Sequence, residues 1–134
     1  MDKRKATLEE YGISKKRYKE LSGFCEQYPE WKKELELKNS TLRSPQITGM
    51  PVSHNNTDAT GELAVRRAML EERCRLIEET AKEANSDMAD VLIKAICYEV
   101  SVNYLIANGE MLCSMATFYD VRKYFYYLLN QKKN

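Results

Sequence analysis

Few residues in this 134-residue chain are of the kinds that carry covalent chemistry, and their spacing assembles no catalyst. Cys25, Cys74, Cys97 and Cys113 are scattered, and no two form a C-x-x-C pair. The single histidine, His54, lies in a polar stretch. A structural zinc site draws its ligands from closely paired Cys and His residues, so no metal centre is expected. A thiol nucleophile needs a base to activate it, and no histidine neighbours any of these cysteines. No glycine-rich phosphate loop is present. The chain therefore reads as non-enzymatic, with no metal and no cofactor.

What remains is the chemistry of recognition, and it gathers in C-S-M-A-T-F-Y-D-V-R-K-Y-F-Y-Y-L-L at 113–129. A helix starting after Ser114 would carry Ser114, Met115, Thr117 and Asp120 in its opening turns, where a recognition helix meets base edges. Arg122 and Lys123, with Lys132 and Lys133 of the tail, are candidates for phosphate contacts. Lys15, Lys16 and Arg17 form a second basic group at a helix start, where the helix dipole also attracts phosphate. Tyr119, Tyr124, Tyr126 and Tyr127 together exceed what one buried face needs, and three of them stand out: Tyr119, Tyr126 and Tyr127. With Trp31 they are candidate anchors of a protein interface, where aromatic residues are enriched.

These groups need elements to position them. Overall charge is no guide, because 21 basic residues nearly balance 20 acidic ones. The distribution is uneven: residues 61–113 carry six basic and ten acidic groups, and residues 114–134 four and one. No apolar run approaches the ~20 residues of a membrane span, and no secretory signal is visible, so a cytoplasmic location is expected.

Ser14 predicts a helix start, and Tyr18, Leu21, Phe24, Cys25 and Tyr28 give that helix one apolar face. A break is expected at Tyr28-Pro29, followed by a second helix holding Trp31, Leu35 and Leu37. Residues 39–60, rich in Asn, Ser and Thr with two prolines, read as a flexible linker. A helix follows from about Thr60 to Ala84. Its Leu63, Leu70, Cys74, Ile77, Ala81 and Ala84 are spaced like a coiled-coil seam, which makes Leu63, Leu70 and Ile77 candidate contacts of a homodimer. Three shorter helices close the chain, capped by Ser86 or Asp87, by Ser101 and by Ser114, with Asn108-Gly109 stopping the middle one. In this reading Leu92 and Ile96 pack with Tyr104 and Leu105. Phe118, Val121, Phe125 and Leu128 face the core. Helix, short helix, turn and capped helix in succession have the grammar of a helix-turn-helix.

Residues 88–129 thereby resemble the DNA-binding region 4 of sigma-70-like factors. The chain as a whole is similar to small helix-turn-helix proteins encoded by phages and prophages of Gram-positive bacteria. The likeness rests on Tyr18-x-Glu20-Leu21-x-x-Phe24-Cys25-x-Gln27-Tyr28-Pro29-Glu30-Trp31-Lys32-Lys33, on Thr60-Gly61, on Ile77-Glu78-x-Thr80-Ala81 and on Thr117-Phe118-Tyr119-Asp120-x-Arg122-Lys123-x-Phe125. It implies a phage transcriptional regulator acting on double-stranded DNA in a bacterial host. Such relatives carry arginines where this chain has Met115 and Ala116, and an acidic pair where it has Ser101-Val102-Asn103-Tyr104.

The expectation is thus an all-α helical bundle: an N-terminal helical pair within 1–38, a linker over 39–60, and a long helix plus helix-turn-helix over 61–134. Its expected role is DNA-binding regulation. The alternative is a protein-binding module on the same scaffold, aimed at a host polymerase, a packaging component or a host-defence complex. A third reading, a ring-forming packaging or recombination accessory, would show as a larger mass in solution.

Overall fold

The computed structural model describes residues 7–43 and 55–133, and among these the protein is all-α. Its helices are α1 (Lys15–Glu26), α2 (Tyr28–Arg43), α3 (Asn55–Ala84), α4 (Ala89–Ile96), α5 (Val102–Ala107) and α6 (Met115–Lys132), with one 3-10 turn at Ser86–Met88 before α4.

Helix starts follow their caps. Ser14 Oγ accepts from the Arg17 N–H at 3.1 Å, Ser101 Oγ from Tyr104 N–H at 3.0 Å and Ser114 Oγ from Thr117 N–H at 3.1 Å. Each satisfies a donor the helix itself leaves unpaired. The 3-10 turn departs from expectation. Asn85, not Ser86 or Asp87, caps it, accepting from the Asp87 and Met88 N–H groups at 3.0 and 3.2 Å. The α1–α2 break is a single residue, Gln27, with Pro29 in the first turn of α2, where its missing N–H costs nothing.

The expected linker is shorter than 39–60. Helix α2 runs on to Arg43 and α3 begins at Asn55, while residues 44–54, including His54, lie outside the described residues. Asn, Ser and Thr cost a helix only a few tenths of a kcal/mol each, roughly, and neither 39–43 nor 55–60 contains a proline.

Helix α3 is the hub. It packs against α2, α4 and α6, while α1 closes over α2, α4 and α6. Helices α2 and α3 run antiparallel. Arg66 forks onto Glu34 at 2.5 and 3.0 Å, the Arg73 guanidinium lies 5.5 Å from the Trp31 ring, and the Tyr28 hydroxyl donates to Glu78 at 2.5 Å. The seam of α3 faces inward: Leu70, Cys74, Ile77 and Ala81 are buried with Leu21, Leu92, Phe118, Val121 and Phe125. Leu70 and Ile77 are therefore core residues of this chain and not surface contacts of a dimer, whereas Leu63 stays exposed. Heptad spacing defines an apolar stripe but does not say which helix covers it. Trp31 is also core, at 5% exposure.

Residues before α1 contribute more than the sequence suggests. Gly12 takes φ +85, which turns the chain so that Leu8 O accepts from both Tyr11 and Ile13 N–H at 3.0 Å. Tyr11 and Ile13 are thereby buried, and the Tyr11 ring lies 5.0 Å from that of Tyr127.

Candidate functional site

The region that positions the candidate recognition residues begins where α4 ends. Glu99 adopts φ +56, unusual for a residue with a side chain, and Val100 N–H reaches back to Lys94 O at 3.0 Å. Ser101 then caps α5. Eight residues later Gly109, at φ +75, ends the helix: its N–H donates to Ile106 O and Glu110 N–H to Leu105 O, each at 3.0 Å, the paired pattern of a Schellman stop. Lys94 is thus used twice. Its carbonyl ties down the start of the α5 segment, and its ammonium forms an ion pair with Glu110 at the far end. That ammonium holds the Glu110 carboxyl below the usual carboxylate range, helped by Asn108 Nδ2 donating at 3.3 Å. Leu105 and Met111 anchor the loop from inside. Tyr104, expected to pack on Leu92 and Ile96, points outward at 56% exposure, because the neighbouring Leu105 takes the inward position.

Helix α6 has three sides. At 3.6 residues per turn, Phe118, Val121, Phe125 and Leu129 share one, and all are buried. The inward residue near the end is Leu129, and Leu128, expected there, is half-buried. Tyr126 is also buried, at 1% exposure, with its ring 5.1 Å from that of Tyr18 in α1. It is therefore no surface anchor, and burial pushes its hydroxyl pKa up, keeping it neutral. Ala116, Asp120, Lys123 and Tyr127 follow a second stripe, with Thr117 beside it; Ala116, Thr117 and Asp120 are exposed. Met115, Tyr119 and Arg122 form a third stripe, and they line a groove of about 460 Å³ whose opposite wall is Ala95, Val100, Ser101, Val102 and Asn103. Of the four residues expected to face bases, Thr117 and Asp120 lie on the outward side, Met115 turns into the groove, and Ser114 has its hydroxyl engaged in the cap.

The cations expected to hold phosphates differ in their freedom. Arg122 donates to the Tyr18 hydroxyl at 2.7 Å and lies 5.6–6.0 Å from the ring centroids of Tyr126, Tyr119 and Tyr18. Lys132 pairs with Glu83 at 3.1 Å. Lys133 lies 3.9 Å from the Phe24 ring centroid, and burial pulls its pKa down. Arg17 is held by Asn130 at 2.5 Å and Glu20 at 3.0 Å. Lys123 lies 3.9 Å from Asp120 across one helical turn, and Lys15 and Lys16 are exposed at the start of α1.

Three cysteines from three elements meet in the core: Cys25 of α1, Cys74 of α3 and Cys97 at the end of α4. A hydrogen bond with Cys97, together with burial, pushes the Cys25 thiol well up, and burial does the same for Cys74. Both thiols are protonated, packed groups at neutral pH and poor nucleophiles. Among the described residues no group of three or more His, Cys, Asp or Glu side chains is placed to hold a metal ion, and no helix is long and apolar enough to cross a membrane.

No family model matches the chain, and no match was found among curated proteins or solved structures.

Proposed function

We propose that the chain is a DNA-binding regulator of transcription, of phage origin, which lays the outward stripe of α6 into the major groove of duplex DNA in the cytoplasm of a bacterial host. One observation carries this reading. The opening turns of α6 expose Ala116, Thr117 and Asp120 while Phe118 and Val121 on the opposite side are fully buried. A recognition helix needs that combination of a free face and a fixed back. Phosphate contacts fall to Lys15 and Lys16, since Arg122, Lys123, Lys132 and Lys133 are engaged elsewhere. A homodimer, the usual form of such regulators, would use the exposed start of the α3 seam at Leu63 and not the buried stretch at Leu70 and Ile77.

Fluorescence anisotropy on random duplex DNA and on DNA flanking the gene, at two salt concentrations, tests this. The expected result is binding that weakens steeply with salt and is tighter on the flanking DNA. Replacing Lys15 and Lys16 with alanine should flatten the salt slope by about two, near one per lost phosphate contact. Absence of binding at low salt would overturn the proposal. It would favour the second reading, a protein-binding module, which draws on the same shortage of free cations around α6.

A further inference from the structure

We infer that the groove between the start of α5 and the first turns of α6 is a docking site for a segment of a partner protein that presents an apolar side chain beside a carboxylate. The walls supply the first half of this specification. Val100, Val102, Met115, Phe118 and Tyr119 enclose about 460 Å³, room for a large aliphatic side chain and its neighbours. Met115 and Tyr119 are 38% and 37% exposed, so apolar surface stands open to solvent. Methionine adapts its shape to what it meets, and tyrosine is a common interface anchor.

Arg122 supplies the second half. The residue lines the groove beside Tyr119, and the partners of its guanidinium are a neutral hydroxyl and three rings; among the described residues no carboxylate lies within ion-pair distance. Five N–H donors are present and Tyr18 takes one. A positive charge held in aromatic surroundings without a counter-ion attracts a carboxylate, and the planar donor fork suits its two oxygens. The ring contacts fix the guanidinium, so little rotamer freedom is lost on binding. The opposite wall is fixed as well, because Lys94 ties both ends of the α5 segment to α4.

A duplex phosphate would find Ser101, Asn103 and Tyr119 beside Arg122 but would leave the apolar side chains of Ala95, Val100, Val102, Met115 and Phe118 uncovered, which an apolar peptide side chain covers. The groove stripe, Met115, Tyr119 and Arg122, is also displaced by about 100° around α6 from the stripe starting at Ala116. The two surfaces can therefore be occupied together, and this inference stands independently of DNA binding.

The test is a titration of the isotopically labelled full chain followed by amide and methionine-methyl NMR. The probes are a blocked leucine–aspartate–leucine tripeptide, its asparagine counterpart, inorganic phosphate and a random duplex. The acidic peptide should move Val102, Asn103, Met115 and Tyr119 signals saturably, and the asparagine peptide should bind about tenfold more weakly, as loss of one charge-assisted contact implies. Equal binding of the two peptides, no saturable shift with either, or release of the bound acidic peptide by phosphate or duplex would overturn the inference. Val102→Asp places a competing carboxylate at the rim. It should abolish peptide binding while leaving duplex affinity and the rest of the spectrum unchanged, and retained peptide binding would count against the site. Arg122→Lys, which keeps the charge and loses the fork, should weaken the acidic peptide but not the asparagine peptide.

Discussion

Arg122 and Tyr18 are 104 positions apart, and the guanidinium of one donates to the hydroxyl of the other at 2.7 Å. The bond joins α6 to α1 and sets the direction of the cation that lines the groove. Tyr18→Phe keeps the ring beside Tyr126 and removes the acceptor. Chemical denaturation should show a loss of about 1 kcal/mol. An unchanged midpoint would mean that water replaces the hydroxyl at no cost.

Ile77 and Leu70 test whether the seam of α3 is internal. Both are fully buried within one chain. Truncation of either to alanine should cost about 2–5 kcal/mol, as for aliphatic groups in well-packed cores. The loss should be the same at low and high protein concentration. A penalty that grows on dilution would move these residues to an interface between chains.

The pairing of Lys94 with Glu110 should make α5 sensitive to acid. The folded carboxyl lies below its ordinary range, so its contribution is complete above that range and disappears as pH falls through the folded value. Hydrogen-exchange protection of Leu105, Asn108 and Gly109 should therefore drop on acidification below about pH 4, once corrected for intrinsic rates. Glu110→Gln should show the same loosening already at neutral pH. Protection that stays constant through this window would show that the loop is held by Leu105 and Met111 alone.

Tyr28 should report at the other end of the scale. Burial and the hydrogen bond to Glu78 push its hydroxyl above the ordinary tyrosine value. A raised folded pKa means full stabilisation below the unfolded value and progressive loss as pH climbs above about 10. Tyr28→Phe should cost about 1 kcal/mol at neutral pH and make the alkaline decline shallower. An identical decline in wild type and variant would assign it to other groups, such as the buried Tyr126.

Much of the architecture is legible in the residues. Ser14, Ser101 and Ser114 mark three helix starts because a short hydroxyl before an apolar-periodic run has one strong use. Asn108-Gly109 marks a stop because few other residues accept a left-handed backbone. The limits of the linker are harder to read, since helix propensity near 39–43 and 55–60 is only weakly unfavourable. The role of Tyr11 and Ile13 depends on a turn at Gly12 that buries both and sets Tyr11 against Tyr127 of α6, a long-range contact with no periodic signal. An apolar residue just before a cap, as Ile13 is before Ser14, is nonetheless a known staple position. The groove is the least legible part. Spacing places Arg122 on the same helix as Lys123, but only the crossing of α1 over α6 turns one toward tyrosines and leaves the other beside Asp120.

Helix α1 and the residues before it have their places on α6: Tyr11 against Tyr127, Tyr18 against Tyr126 and Arg122, Arg17 against Asn130. During synthesis α1 emerges well before α6, so the part of its surface that α6 covers stays open until α6 has been made. Helix α2 and α3 can form their hairpin early from contacts nearer in sequence, but the bundle cannot close before α6 emerges. Final assembly is consequently a late and largely all-at-once event, and a nascent chain stalled before residue 115 should remain open to proteases in its first helix.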